Sequence, residues 1–172
     1  MALITEDGTI VEGAEAFADV ATADTILAGL GFTSWAERST DQKEIDLRKG
    51  AQFMEERWRS SWKGRRVSAT QLLSFPRENV VVEGFAFPSD AVPAEVKRAN
   101  VMLAMKSSLG VELNPDFTAG VKREKVDVLE VEYDTARVTA GTYFTAVEGL
   151  LKPFMGGSSS SSGFTTVKLV RT

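Results

Sequence analysis

Bulky apolar side chains and positive charge occur together in the segment 53–66, which constrains the fold more than any other part of the chain. Trp58 and Trp62 are four residues apart, so on a helix they lie on the same face. Helical steps towards the N-terminus extend this face by three apolar residues: Met54, Ala51 and Leu47. A stripe of this kind predicts a helix that packs its tryptophans into a core.

Cations surround the stripe, and they leave two interpretations open. In the first, the aromatic and basic side chains bind single-stranded nucleic acid by stacking and by charge. In the second, the tryptophans are core residues and the stems of the cations cover them. We favour the second because the tryptophans are in register with the apolar stripe. The nucleic-acid interpretation uses Arg57, Trp58, Arg59, Trp62, Lys63, Arg65 and Arg66.

Capping and stop signals predict a small helical bundle. The long helix should begin after Ser39 or Thr40, with a partial capping box to Gln42, and should run to about Trp62, where Gly64 would stop it. Three further helices are predicted, at 23–30 with Thr22 as N-cap, at 94–109 after Pro93, and at 143–151.

Two stretches between these helices are less regular. Residues 68–73 could form one or two helical turns before Phe75-Pro76, since proline biases the preceding residue towards extended backbone. Residues 80–87 are apolar and rich in helix breakers, so we expect a connector that lies across the helices.

The periodicity changes from helical to alternating between residues 121 and 133. Strands at 121–125 and 129–133, with a turn at 126–128, would form a hairpin whose first arm is basic and whose second is acidic. An isolated hairpin is marginally stable in water, so it should lean on the helical body or join strands of a neighbouring chain. We favour the neighbour.

The chain should divide into a helical domain at 1–153, a Gly/Ser linker at 154–163 and a strand-like tail at 164–172. Residues 2–11 should form an extended arm or a weak hairpin around Asp7-Gly8. The tail could add a strand to a partner, or it could fold back on this arm or on the hairpin. The predicted subunit or partner interface uses Lys122, Arg123, Lys125, Glu130, Glu132, Tyr133, Phe164, Val167 and Leu169.

Composition excludes several classes of function. The 172 residues contain neither cysteine nor histidine, so thiolate zinc sites and Ser-His-Asp or Cys-His relays are ruled out. The formal net charge of -4 argues against a protein that grips duplex DNA over its whole surface. Nucleotide-cradling and nucleophile-elbow motifs do not occur, and we see neither a signal peptide nor a membrane-spanning segment. We assign no catalytic residue, cofactor or metal, and expect a non-enzymatic protein.

Several motifs in a fixed order carry a family resemblance: 1–9, 62–66, 75–77, 91–99, 121–126 and 130–133, followed by a glycine-rich stretch after 150–153. In this order the chain resembles the tailed-phage and prophage proteins labelled DnaT-like single-stranded-DNA-binding proteins, which are similar to head-to-tail connector (adaptor, or head-completion) proteins. The likeness covers nearly the whole chain.

The resemblance implies a mainly α fold, a small helical bundle with a β-hairpin and extended terminal arms. It also implies a ring of copies, twelve-fold by likeness to the family, that joins the portal to the tail or to a tail-terminator or stopper protein. DNA would pass through the lumen without sequence-specific contact. Such a protein would reside in the virion neck, and in the host cytoplasm during assembly. The alternative function is that of a single-stranded-DNA-binding accessory protein.

Overall fold

The computed structural model describes residues 2–115 and 144–156, together with the backbone of two strands at 123–126 and 129–132. The α-helices of this described part are α1 (Val20–Gly29), α2 (Thr33–Ala36), α3 (Thr40–Trp58), α4 (Ala94–Ser108) and α5 (Thr145–Leu151), and a 3₁₀ turn (Lys152–Phe154) follows α5. The strands form three two-stranded antiparallel sheets, namely β1 (Arg65–Arg66) with β2 (Arg77–Glu78), β3 (Val81–Val82) with β4 (Phe85–Ala86), and β5 (Arg123–Val126) with β6 (Leu129–Glu132). The fold is therefore mainly α with a small β component, which confirms the predicted class.

A capping box fixes the start of α3. The Ser39 hydroxyl accepts a hydrogen bond from the Gln42 backbone N–H, and the Gln42 side chain accepts one from the Ser39 N–H at 3.3 Å. These bonds satisfy two backbone donors that a helix start leaves open. The predicted start of the long helix is confirmed.

The end of α3 differs from the prediction. The helix stops at Trp58 rather than near Trp62, and the Ser61 N–H closes a turn onto the Trp58 carbonyl at 2.8 Å. Gly64 lies in the following loop with a φ of 64°, and a Cβ there would collide with the Glu78 carbonyl oxygen. Gly64 is thus required for a close approach between β1 and β2 and not for stopping the helix.

The buried side chain of Asn100 holds the crossing of α3 and α4. Its Nδ2 donates to the Leu47 carbonyl in α3 at 2.9 Å, and its Oδ1 accepts from the backbone N–H groups of Phe17 (3.0 Å) and Ala18 (3.3 Å). Gly50 allows the two helices to approach, because a Cβ there would lie 2.9 Å from both the side-chain nitrogen and the backbone carbonyl oxygen of Asn100.

The remaining helices lie close to their predicted positions. α1 begins at Val20, with Asp19 as its N-cap in place of Thr22, and the Asp19 carboxylate accepts from the Thr22 N–H at 2.7 Å. Hydrogen bonds from the side chain and the backbone N–H of Thr22 lower the pKa of Asp19. α4 follows Pro93 as predicted and ends before Gly110, which has a φ of 79°. α5 begins two residues later than predicted.

The structure differs from the prediction at 68–73 and adds a hairpin within the connector at 80–87. Residues 68–73 form bends rather than helical turns. The Gln71 side chain accepts a hydrogen bond from the Ser68 N–H and donates to the Leu73 and Pro76 carbonyls, so it satisfies backbone groups that helical hydrogen bonds would otherwise pair. Residues 81–86 of the predicted connector form the β3–β4 hairpin, which was not predicted.

The N-terminal arm is folded around a buried carboxylate. Glu6, 2% exposed, accepts backbone hydrogen bonds from Gly8 at 2.8 Å and from Ile10 and Val11 at 3.1 Å each. These bonds hold Ile10 at a φ of 64°, which a β-branched residue rarely adopts. A bridge between Thr5 and Ala16 joins the arm to the segment before α1.

The compact body extends past the predicted boundary at residue 153. Phe154 is 3% exposed, and its ring contacts Phe75 at 6.3 Å and Phe87 at 5.7 Å between centroids. The Gly156 N–H then donates to the Ser61 carbonyl at 2.7 Å. Residues 154–156 therefore belong to the body, and the rest of the predicted linker and tail, 157–172, lies outside the described residues.

We expect the same substitution at two helical glycines to give opposite results. Gly50→Ala should destabilise the fold by about 1 to 3 kcal/mol, because the new methyl group would meet the Asn100 side chain. Gly29→Ala, in α1, should be neutral or stabilising by up to about 1 kcal/mol, since nothing lies within 4 Å of its Cβ position. Urea unfolding followed by circular dichroism measures both. A Gly50→Ala variant at least as stable as the wild type would contradict the close helix crossing.

Candidate functional site

The tryptophans of the segment 53–66 are core residues. Trp58 is 5% exposed, and its ring meets Phe53 edge to face with centroids 5.4 Å apart, while Phe53 meets Phe144 in the same way. Because the flat faces of Trp58 are covered, they are not available to stack on a base. The interpretation of Trp58 as a core residue is supported.

Trp62 reaches the core from the loop after α3. It is 6% exposed, contacts Phe75 edge to face at 5.1 Å and pairs through its backbone with Met155. The spacing predicted that the two tryptophans share a helical face, and this is wrong because α3 ends at Trp58. Both nevertheless lie inside the body.

Most of the cations beside them are held by groups of the same chain. Lys63 donates to the carbonyls of Val81 (3.1 Å) and Pro153 (2.8 Å), and Arg66 donates to the Gln71 carbonyl at 2.9 Å. The exposed cations also have acidic partners: Arg65 pairs with Glu78 at 2.6 Å and Arg59 with Glu55 at 3.8 Å. Arg57 lies exposed in the last turn of α3.

A buried cation, Arg77, organises this region, and the sequence analysis missed it. Its guanidinium donates to the carbonyls of Lys63 (2.7 Å), Gly64 (2.8 Å) and Ser74 (3.2 Å), so that one side chain joins the loop after α3 to β2. Burial lowers the pKa of Arg77. No local pattern indicated this role, because two of the three carbonyl groups lie 13 and 14 residues away in the sequence.

Glu55 is the acidic counterpart of this region. Its carboxylate accepts from the Ser74 backbone N–H (2.6 Å) and hydroxyl (2.8 Å), and its side chain is 13% exposed. Burial raises the pKa of Glu55, although the bonds from Ser74 and the positive charges of Arg59 and Arg66 act in the opposite direction. Glu55, Ser74 and Arg77 thus tie the 63–77 loop to α3.

The predicted interface lies largely outside the described residues. The β5–β6 register pairs Arg123 with Glu132 and Lys125 with Glu130, so oppositely charged residues occupy facing positions as predicted. The predicted turn at 126–128 is one residue too long, since Val126 belongs to β5. The positions of Lys122, Tyr133, Phe164, Val167 and Leu169 are not described.

The β3–β4 hairpin exposes an aromatic side chain that sequence reasoning did not single out. Phe85 is 78% exposed and Val81 50% exposed. The signal in the sequence was Gly84 between two short apolar runs, because glycine readily supplies the positive φ that a two-residue hairpin turn needs.

Neither a metal site nor a membrane helix is found among the described residues. They contain no group of three or more acidic residues arranged to hold a metal ion. Within the same part of the chain, no helix has the length and apolar character needed to cross a bilayer.

Comparison with protein families identifies the chain. The family described as "Putative DnaT-like ssDNA binding protein" matches residues 1–172. The chain belongs to this family. Searches of curated proteins and of solved structures gave no significant match. In this member of the DnaT-like family, the tryptophan-rich segment builds the core and its cations contact the same chain.

We expect Trp58→Ala to destabilise this DnaT-like protein by about 3 to 5 kcal/mol, because it removes a buried ring that contacts Phe53. Lys49→Ala, at an exposed position of α3, is the control and should stay within about 0.5 kcal/mol of the wild type. Urea unfolding of both variants measures the difference. A negligible effect of Trp58→Ala would place the indole on a binding surface.

The raised pKa of Glu55 predicts a pH dependence of stability. The native state binds the proton more tightly than the unfolded chain, whose carboxyl titrates near 4.5. The contribution of Glu55 is therefore fully present below pH 4.5 and is lost as the pH rises through the folded pKa. Relative to Glu55→Gln, the wild type should lose stability from acid to neutral pH.

Urea unfolding at a series of pH values measures this difference. Glu112→Gln, at an exposed position after α4, removes the same charge and reports the effect of net charge. A gap between the wild type and Glu55→Gln that widened in favour of the wild type towards neutral pH would contradict the sign.

Proposed function

We propose that this DnaT-like protein is a non-enzymatic assembly subunit, a head-to-tail connector that forms a ring between the portal and the tail of a phage. The observation that carries the proposal is the burial of Trp58 and Trp62. A protein that coats unpaired strands needs exposed aromatic platforms beside a basic groove. Here both indoles are internal, which favours a role through contacts between proteins.

Three further observations support assembly. The formal net charge of -4 suits a ring that lets DNA slide through its lumen without holding it. The two-stranded β5–β6 sheet would gain stability from a neighbouring chain, because an isolated hairpin is marginal in water. The β3–β4 hairpin also presents exposed apolar side chains of the kind that protein interfaces bury.

The proposal includes the partners and the location that the family resemblance implies. Copies of this chain would form the ring, twelve-fold by likeness to the family, with the portal protein on one side and a tail, tail-terminator or stopper protein on the other. The assembled protein would lie in the virion neck, after a period in the host cytoplasm. Residues of the β5–β6 hairpin and of 164–172 would contribute to contacts between subunits.

The second candidate is a single-stranded-DNA-binding accessory protein. The description of the family favours this function, and it does not mention a connector. With the tryptophans buried, the binding surface would consist of the exposed cations around the loop after α3. Arg59 and Arg65, whose side chains are 52% and 75% exposed, are the best placed to meet phosphate groups.

An oligonucleotide titration distinguishes the two functions. If the protein is a connector, anisotropy of a labelled single strand should show no sub-micromolar binding at about 0.15 M salt. If it coats single strands, Arg59→Ala/Arg65→Ala should weaken binding strongly, because these residues would neutralise phosphates. The control Lys97→Ala/Arg98→Ala removes the same charge from α4 and should retain binding.

Assembly is tested on the same preparations. We expect concentration-dependent oligomers in sedimentation, ring-shaped particles in electron micrographs, and the protein among the components of purified virions. A protein that stays monomeric, is absent from virions and binds single strands tightly would contradict the connector function and establish the second candidate.

A further inference from the structure

The β5–β6 hairpin leaves one edge of each strand open. β5 and β6 are antiparallel and bond each other, and within the described part of the chain no third strand joins them. A two-stranded sheet with four residues in each strand is marginally stable in water. The N–H and C=O groups along an open edge can pair with a further strand. The hairpin therefore offers two places at which another strand can extend it.

The described residues before and after the hairpin segment contact the same turn of α3. Before it, the Asn114 side chain donates to the Glu56 carboxylate at 3.0 Å. After it, the ring of Phe144 meets that of Phe53 edge to face, with centroids 5.4 Å apart. A strand contact made at the hairpin would therefore connect to the helical body through α3.

The register of the hairpin sorts charge by strand. Arg123 faces Glu132 and Lys125 faces Glu130, and positions two apart along a strand share a face of the sheet. One face therefore carries these four charged positions, with both cations on β5 and both anions on β6. The opposite face carries Glu124, Val126, Leu129 and Val131.

These charges distinguish the ways in which two copies of the hairpin can join their open edges. Two β5 edges would bring cations beside cations, and two β6 edges would bring anions beside anions. Like charges at directly facing positions destabilise a sheet, whereas opposite charges stabilise it. A β5 edge beside a β6 edge brings opposite charges together, and it keeps the antiparallel order when the two copies have the same orientation.

We propose that β5 of one copy pairs with β6 of the next, so that the hairpins of an assembly form one continuous antiparallel sheet. With the hairpin's own register repeated between copies, Glu132 and Glu130 of one copy face Arg123 and Lys125 of the next. The two edges are different surfaces, so the contact is head-to-tail and gives a ring when the rotation closes. This pairing rests on the proposed assembly function and specifies a strand contact within it.

The tail of the same chain matches only one of the two edges in charge. Residues 164–172 include Lys168 and Arg171 and no acidic side chain, so their charge suits the acidic β6 edge. The basic β5 edge would stay open, and open edges invite pairing. A second copy supplies a strand of the right charge for both edges at once.

A charge-exchange variant tests the pairing and preserves the hairpin's own charge pairs. It combines Arg123→Glu, Lys125→Glu, Glu130→Lys and Glu132→Lys, so facing positions stay opposite in charge and the net charge is unchanged. This variant should assemble with itself as the wild type does. Mixed with affinity-tagged wild type at about 0.15 M salt, it should co-purify roughly tenfold less than untagged wild type does, because every mixed contact brings like charges together.

A second exchange serves as the matched control. Arg65→Glu with Glu78→Arg exchanges the facing charged pair of β1 and β2, again without a change of net charge. Because this pair lies outside the proposed contact, the control should co-purify with tagged wild type as untagged wild type does. Circular dichroism of each variant verifies that it is folded.

The other outcomes overturn the pairing in distinguishable ways. If the charge-exchange variant and the control co-purify equally with wild type, the strand edges do not form the contact. If the charge-exchange variant is preferred over wild type, like edges meet, β5 with β5 or β6 with β6. If it is folded but does not assemble with itself, the edges bind another partner, such as the tail. These three results leave the connector function standing, whereas a wild type that is monomeric at every concentration overturns both.

Discussion

The buried amide of Asn100 is the interaction on which the rest of the structure depends. It lies at the crossing of α3 and α4 and bonds three separate backbone groups, at Leu47, Phe17 and Ala18. A fully buried polar side chain is tolerable when its bonds are satisfied, and it then fixes the relative position of the elements it joins. Gly50 complements it by removing the side chain that would keep the helices apart. One residue pair therefore sets the helix spacing and attaches the N-terminal segment.

The loop after α3 extends this frame by a second set of polar bonds. Arg77 gathers three carbonyl groups of the 63–74 loop, and Glu55 holds the loop to α3 through Ser74. Between them the rings of Trp62, Phe75 and Phe154 pack edge to face. The charged and aromatic composition of this region, which is typical of a nucleic-acid surface, thus serves the internal structure.

Sequence patterns were sufficient to predict the elements that depend on interactions between residues close together in the sequence. The capping box at Ser39, the start of α4 after Pro93 and the burial of Trp58 follow from short-range rules of helix geometry. The end of α3 did not follow, because Trp62 is drawn into the core by its contacts with Phe75 and Met155, which are distant in sequence. Arg77 was missed for the same reason, since its partners are carbonyl groups that only the folded chain brings together.

The candidate site was harder to predict than the fold. Composition does not say which aromatic side chains are buried, and the helical periodicity that indicates a core position for Trp58 carries no information about Phe85. The exposed ring became apparent only when the Glu83-Gly84 turn placed it beyond the body. The predicted interface at 122–133 and 164–169 depends on a segment whose side chains the structure does not describe.

The ring of Phe154 links two regions that are far apart in the sequence. The ring touches Phe87 at the base of the β3–β4 hairpin. Along the chain, Phe154 immediately precedes Met155 and Gly156, where the described body ends. The last described residues of the body therefore lie beside the root of the hairpin. Phe85 is two residues from Phe87 along the chain, so the end of the described body and the protruding aromatic side chain belong to one neighbourhood of the molecule.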